Sequence, residues 1–153
     1  FEHRLGEMVN ETVRSGAAFG LLYLDADYFK QVNDTHGHLS GDALLVGIAM
    51  RIRTCIRQQD HAFRLGGDEF AVILTPTVDQ MRLDAVIRRI ELSMDEPVDL
   101  PSGQSIRPSI SIGSAIYPDD GISPQDLLRR ADEAMYQHKL RKRGDFSSTD
   151  QHA

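Results

Sequence analysis

The sequence predicts an α/β protein: an α+β sandwich with a mostly antiparallel central sheet flanked by helices. Three observations carry that prediction. Short apolar runs of strand length (19–24, 70–74, 109–116) are interspersed with longer segments whose apolar residues recur at helical spacing. Two glycines separate a pair of the strand-like runs, as a tight hairpin requires. The 153 residues, 41% hydrophobic and 26% charged, suit one ordinary globular domain.

Taken in order, Leu5, Met8, Val9 and Val13 give residues 2–15 a helical pattern, which Ser15-Gly16 ends. Residues 19–24 form the first strand, closed by Asp25. Residues 41–59 read as a long helix with Leu44, Leu45, Ile48, Ile52 and Ile56 in one stripe. Asp42 falls in its expected first turn, where a carboxylate suits the helix dipole. Strands at 63–65 and 70–74 flank Gly66-Gly67-Asp68-Glu69, a hairpin signal. Residues 78–94 form another helix, 97–108 loop and strand edge, and 109–116 a strand. After the turn at Pro118-Asp119-Asp120-Gly121, Ser123-Pro124 opens the last helix, with serine as N-cap and proline at the first helical position. That helix is expected to run to about Lys142. Residues 1–144 then form the domain and 145–153 a flexible tail. The order gives a βαββαβ core of the ferredoxin-like kind.

Composition narrows the function. Seventeen Lys and Arg against 23 Asp and Glu leave a net charge of −6, a poor match to a nucleic-acid backbone. The longest apolar run, 43–50, is far short of the ~18 residues of a membrane span, so no membrane contact is expected of this domain. No secretory signal opens the chain, and the single cysteine, Cys55, forms no internal disulfide. A reducing, cytoplasmic setting is expected, in a parent protein free to be membrane-anchored. A start at Phe1 suggests a piece of something longer.

Three clusters carry chemistry. Asp25 and Asp27 close the first strand, where a buried carboxylate must be paired or bind a cation. Taken alone they are strand-terminating turn acids. Gly66-Gly67-Asp68-Glu69 joins two carboxylates to close-approach glycines, which suits a hard cation; taken alone it is an acidic turn. Lys139, Arg141, Lys142 and Arg143 end the last helix, where cations complement the dipole, and Lys139 and Arg143 share a face as a phosphate clamp would. His36, His61 and His138 read as surface residues, and His38 as a structural hydrogen-bonding residue.

These clusters form one pattern. Asp25-Ala26-Asp27-Tyr28-Phe29-Lys30, Asn33-Asp34, Gly37-His38, Gly41-Asp42, Arg64-Leu65-Gly66-Gly67-Asp68-Glu69-Phe70, Ser111-Ile112-Gly113, Ala131-Asp132 and Met135-Tyr136 follow in order. In these motifs the chain resembles the GGDEF-domain diguanylate cyclases from Phe1 to Arg143. The resemblance implies a fold like the palm of nucleotide polymerases. It also implies a reaction in which two GTP molecules, one on each protomer of an antiparallel homodimer, condense to cyclic di-GMP and release two pyrophosphates.

By the same resemblance, Gly66, Gly67, Asp68 and Glu69 are the catalytic turn. Asp25 and Asp68, with the Ala26 carbonyl, hold Mg²⁺ or Mn²⁺. Glu69 is a second-metal ligand or the general base for the attacking hydroxyl. Phe29 and Lys30 lie in the loop whose backbone amides touch the terminal phosphates, and Lys139 and Arg143 bind phosphate. Asp42 accepts the adjacent N1–H and N2–H₂ donors of guanine and Asn33 is a second guanine contact; adenine would leave Asp42 unsatisfied.

Two departures matter. The family's Gly-Arg-Asn after the clamp lysine reads Lys142-Arg143-Gly144 here, and its usual opening turn is absent before Phe1. That turn joins an upstream sensory module, which is therefore expected in the parent protein. Arg57-Gln58-Gln59-Asp60 has the spacing of the family's product-binding inhibitory site, with Arg88 a supplementary arginine; read alone, Arg57 and Asp60 are a solvated ion pair. The alternative to a cyclase is a non-catalytic module binding GTP or cyclic di-GMP.

Overall fold

The computed structural model describes residues 1–75 and 78–149. Along the chain run α1 (Glu2–Ser15), β1 (Phe19–Ala26), α2 (Phe29–His36), α3 (His38–Cys55), β2 (His61–Gly66), β3 (Glu69–Leu74), α4 (Gln80–Ser93), β4 (Val98–Asp99), β5 (Ser105–Ile106), β6 (Ile110–Tyr117) and α5 (Pro124–Thr149). The main sheet has the order β2-β3-β1-β6, with every pairing antiparallel, and β4 and β5 form a separate small hairpin. This is the βαββαβ arrangement expected from the sequence.

The apolar character of β1 follows from its place. It is paired on both sides and covered on both faces, so its side chains cannot alternate between core and water. Leu22 and Leu24 pack with Leu44, Ile48 and Ile52 of α3 and Leu83, Val86 and Ile90 of α4. Phe19 and Leu21 face the other way, onto Leu5 and Met8 of α1 and Leu127 and Ala131 of α5. Each such side chain contributes about 1.5–3 kcal/mol by leaving water. Gly113 seats α5 on β6: a Cβ there would lie 1.9 Å from the Ala131 carbonyl oxygen. Helix and strand meet backbone to backbone, which holds the far half of α5 over the ends of β1 and β6.

Beyond shifts of one or two residues at several ends, the helices differ from the sequence reading in the following ways. The stretch 29–36 is a helix, α2, that buries no residue and so presents no apolar stripe to read. Gly37, at φ 88°, turns the chain into α3, which starts at His38 rather than Gly41 and ends at Cys55 rather than Gln59. Asp42 therefore lies one turn inside the helix, and its reading as a helix-start acid is corrected. Finally, α5 continues to Thr149, so residues 145–149 are helix rather than tail. A single glycine, Gly144, costs a helix only about 1 kcal/mol and does not stop it. Residues 150–153 lie outside the described residues.

The cap of α5 matches its sequence signal, and the structure adds one at α4. Ser123 Oγ accepts from the Asp126 N–H at 3.1 Å, and Asp79 accepts from the Arg82 N–H at 2.8 Å. Among the described residues no helix is long and apolar enough to cross a membrane.

Candidate active site

Antiparallel pairing brings two of the acidic clusters together. Asp25, near the end of β1, is directly opposite Glu69 on β3 and Ser111 on β6. The hairpin between β2 and β3 turns through Gly66 at φ 125° and Gly67 at φ 54°, backbone conformations that glycine adopts without strain. Two contacts staple this turn. The Arg64 guanidinium donates through Nε and Nη2 to the Gly67 carbonyl at 3.1 and 2.8 Å. The Ala26 N–H donates to the Asp68 carbonyl at 2.9 Å, tying the turn to β1.

The carboxylates are electrostatically strained. Burial and the neighbouring Asp68 carboxyl push the Asp25 carboxyl up to about 6, against the opposing pull of Lys139. Lys139 Nζ donates to Asp25 Oδ2 at 2.6 Å, while Asp25 Oδ1 is buried with no protein partner. Glu69 accepts from the Tyr23 hydroxyl at 3.0 Å; burial and the Glu69 contact push that phenol up to about 12, so it remains a neutral donor.

Among the described residues no group of three or more His, Cys, Asp and Glu side chains is arranged around a common point. The set nonetheless fits a hard divalent cation. An orphaned buried carboxylate oxygen beside a second carboxyl is the arrangement such an ion satisfies, and Ala26 lies at the same cavity wall.

That cavity, of about 420 Å³, is lined by Ala26, Asp27, Tyr28, Phe29, Lys30 and Gln31 on one side and Asp68, Lys139, Lys142 and Arg143 on the other. Tyr28, at φ 59°, turns the chain abruptly into α2, and no side chain caps that helix. The first N–H groups of α2, those of Phe29, Lys30 and Gln31, have no intrahelical acceptor and begin at the cavity. Cationic side chains and an uncapped helix start suit an anion there.

Asp27 anchors this wall. Its carboxylate accepts from the Ser109 and Ser111 hydroxyls, each at 2.7 Å, and from Lys142 Nζ at 3.2 Å. Burial alone would raise the Asp27 carboxyl; these donors outweigh it and hold the group below the usual carboxylate range. Lys142 also donates to the Ile110 carbonyl, so it binds β6 to α5. His138, expected at the surface, is half-buried: its Nδ1 accepts from the Ile112 N–H at 3.0 Å on the free edge of β6. His38 is exposed as the first residue of α3.

Asn33 and Asp42 come together through a close approach. A Cβ on Gly41 would lie 1.7 Å from Asn33 Oδ1, so only glycine lets the Asn33 amide lie against α3 next to Asp42. Asn33 Oδ1 is buried without a protein partner. Exposed Asp42 borders a separate cleft of about 360 Å³ with Leu45, Val46, Ala49, Arg64 and Phe70. A carboxylate at the wall of this cleft suits a planar heterocycle bearing hydrogen-bond donors.

The remaining expected residues lie elsewhere. Asp60 is 2% exposed, and its carboxylate accepts from the N–H groups of Arg57 at 2.8 Å and Thr75 at 2.9 Å and from the Arg82 guanidinium at 3.2 Å. The solvated Arg57–Asp60 ion pair is thus corrected: Asp60 bonds the Arg57 backbone and braces the loop. Arg57 and Arg88 are exposed.

Sequence reasoning missed Tyr23 and Gln31, gave Tyr28 and Arg64 no role of their own, and read Lys142 only as a helix-end cation. A tyrosine at positive φ carries no sequence signal, since asparagine, aspartate and glycine are the usual occupants. Alternation along β1 could have found Tyr23, which shares a face with Asp25.

Fold and site together define a palm-like domain, with acidic residues at the end of β1 and on the adjacent hairpin beside a cation-lined cavity. The chain belongs to the GGDEF-domain family: residues 1–145 match the family described as "Diguanylate cyclase, GGDEF domain". It is 41% identical over 144 residues to the diguanylate cyclase TpbB of Pseudomonas aeruginosa, covering 94% of this chain and 33% of TpbB. The chain thus spans a third of that relative's length. The solved GGDEF domain of TpbB (YfiN) superposes with a TM-score of 0.89 at 40% identity, over 92% of this chain and 82% of that one. The GGDEF domain of DgcB from Caulobacter crescentus, solved in complex with c-di-GMP, superposes at 0.84 with 28% identity, over 92% of this chain and 82% of that one.

Proposed function

We propose that this domain is a diguanylate cyclase that condenses two GTP molecules into cyclic di-GMP. One observation carries the reading: Asp25, opposite Glu69 in the sheet, stands beside Asp68, and Asp68 lines a cavity with Lys139, Lys142, Arg143 and the start of α2. The 3′-oxygen of each GTP bonds to the α-phosphorus of the other, the bond from that phosphorus to the β-phosphate oxygen breaks, and pyrophosphate leaves. Each chain offers one half of this site, so the reaction needs a homodimer with the two halves face to face.

Asp25 and Asp68, with the Ala26 carbonyl, would hold a divalent ion. Bound there, Mg²⁺ or Mn²⁺ would neutralise phosphate charge and acidify the attacking hydroxyl. The N–H groups of Phe29 and Lys30, with Lys139 and Arg143, bind and orient the terminal phosphates. Glu69, held by Tyr23, either takes the hydroxyl proton or ligates a second ion. Asn33 and Asp42 select guanine. Exposed Arg57 and Arg88 retain product at an inhibitory site whose loop Asp60 braces. We propose a cytoplasmic setting, where GTP is available, and an upstream sensory module that sets the dimer.

The test is to incubate concentrated protein with GTP and Mg²⁺ and separate the products by chromatography. Cyclic di-GMP and pyrophosphate are expected, with specific activity rising with protein concentration. Absence of both under conditions where dimers are seen overturns the reading. The Lys139 contact on Asp25 favours a second reading, a module that binds nucleotide without turning it over. The same chromatogram, with unconverted GTP, would support it.

A further inference from the structure

We infer that Lys139 stands in for the cation in the empty site, so that cation and triphosphate bind cooperatively through the transfer of this one ammonium group from Asp25 to phosphate. The inference rests on the metal assignment above and goes beyond it. Lys139 Nζ lies 2.6 Å from Asp25 Oδ2, an ion pair to the buried Asp25 side chain. The other carboxylate oxygen, Oδ1, is left buried and bare. One side chain therefore compensates the carboxylate incompletely, as a placeholder would.

The same lysine also lines the cavity opposite the N-terminus of α2. Phosphates at that helix start lie within the cavity the ammonium already borders. Lys139 lines the cavity and contacts Asp25 at once, and its flexible four-carbon stem lets the ammonium swing between them by side-chain torsions.

The energetic consequence is specific. A cation binding alone at Asp25 must displace the ammonium, which then has no anion to meet. When a triphosphate is present, the displaced ammonium has an acceptor. Each ligand thus removes part of the cost of binding the other, and the coupling is reciprocal. Lys142 cannot play this part, because Asp27, Ser109 and the Ile110 carbonyl already engage its ammonium on the structural side of the cavity.

The experiment is calorimetric titration of Mn²⁺ into the nucleotide-free protein, with the wild type, Lys139→Met, Lys139→Arg and Asp25→Asn. Lys139→Met should bind Mn²⁺ alone about five- to tenfold more tightly than wild type, since the competing charge is gone. Lys139→Arg keeps the charge and should stay within about twofold of wild type. Asp25→Asn should lose the binding. Adding 3′-deoxy-GTP, which has no hydroxyl to react, should tighten Mn²⁺ binding more in wild type than in Lys139→Met. Equal or weaker Mn²⁺ binding by Lys139→Met overturns the inference, as does Mn²⁺ binding that survives Asp25→Asn. A wild type that makes cyclic di-GMP while Lys139→Met leaves Mn²⁺ affinity unchanged sinks this inference alone. Tightened Mn²⁺ binding without any GTP conversion sinks the cyclase reading alone.

Discussion

Asp25 and Asp27 lie two residues apart at the end of the first strand, are 8% and 7% exposed, and each receives a lysine from α5. Their electrostatic states are nonetheless opposite. Burial and Asp68 raise the Asp25 carboxyl to about 6, while for Asp27 burial is outweighed by two serine hydroxyls and Lys142, which lower it. The difference lies in satisfaction. Asp27 has donors on both oxygens; Asp25 keeps one oxygen bare. The contrast extends further. Asn33 also carries a buried bare polar atom, whereas Asp60, as buried as any polar group in its loop, has donors on both oxygens. At Asp25 and Asn33 the bare atom belongs to a residue proposed to meet a ligand, whereas the satisfied Asp27 and Asp60 tie elements of the fold together; Arg4 Nε, on α1, is a third bare atom and lies outside the proposed site.

The contrast breaks most sharply on activity. Asp25→Ala and Asp68→Ala should each lower turnover of GTP by a thousandfold or more, on the order of the loss expected when a metal ligand goes. Neither should unfold the domain, because Asp25 lacks a full set of partners to lose. Circular dichroism and a turnover assay on the same samples decide this. A variant of either residue that keeps near-wild-type turnover refutes the assignment.

Asp27→Ala should do the reverse. It strands Lys142 and two serine hydroxyls, at a cost of about 3 kcal/mol in stability. Urea unfolding should show a lower midpoint for Asp27→Ala than for Asp25→Ala. Equal midpoints would mean that both aspartates are scaffold.

These roles were only partly legible in the sequence. The stripe at Leu44, Leu45, Ile48 and Ile52 and the Gly66-Gly67 turn disclosed α3 and the hairpin, because period and positive φ are local properties. The motif run likewise pointed to Asp25, Asn33, Asp42 and Asp68. It could not distinguish Asp25 from Asp27, since what separates them is Ser109, Ser111 and Lys142, residues more than 80 positions away. Nor could it show that Asp60 is buried, because the residue that closes over it, Arg82, belongs to α4.

Acidity should sharpen the comparison next. Burial and the neighbouring Asp68 push the folded-state Asp25 carboxyl up to about 6, above the ordinary carboxylate range. A raised carboxyl binds its proton more tightly when folded, so its stabilising contribution is complete below about pH 4 and is lost as pH rises to about 6. Wild type without divalent ions should therefore lose stability over that window relative to Asp25→Asn, on the order of 2 kcal/mol. Asp27 has the opposite sign: its contribution is present above the ordinary carboxylate range and disappears as pH falls below it. Thermal melts from pH 2 to pH 7 on wild type, Asp25→Asn and Asp27→Asn test both signs. A gap between wild type and Asp25→Asn that does not change with pH removes the proposed strain at Asp25.

Asn33 offers a milder test. Gly41→Ala drives a Cβ into Asn33 Oδ1, so the amide must move while α3 stays in place. Guanine affinity should fall about tenfold, with ATP binding unchanged. Asp42→Ala should behave likewise, since only guanine presents paired donors to it. Calorimetry with each nucleotide would show it; equal losses for ATP and GTP would mean that neither residue reads the base.

The smallest expected effect on stability separates Arg57 from its neighbour Asp60. Arg57 is exposed and gives the fold only its backbone N–H, so Arg57→Ala should alter stability by less than about 0.5 kcal/mol. Asp60→Ala removes a carboxylate that braces Arg57, Thr75 and Arg82 and should cost several times more. Product inhibition divides them differently. If exposed guanidinium groups retain the phosphates of cyclic di-GMP, Arg57→Ala and Arg88→Ala relieve inhibition with the initial rate intact, because neither residue touches the cavity beside Asp25. Asp60→Ala should relieve it only together with its loss of stability. Initial rates and inhibition curves on the three variants, read beside their urea midpoints, test this. Inhibition that persists in Arg57→Ala and Arg88→Ala would leave the loop a brace with no ligand.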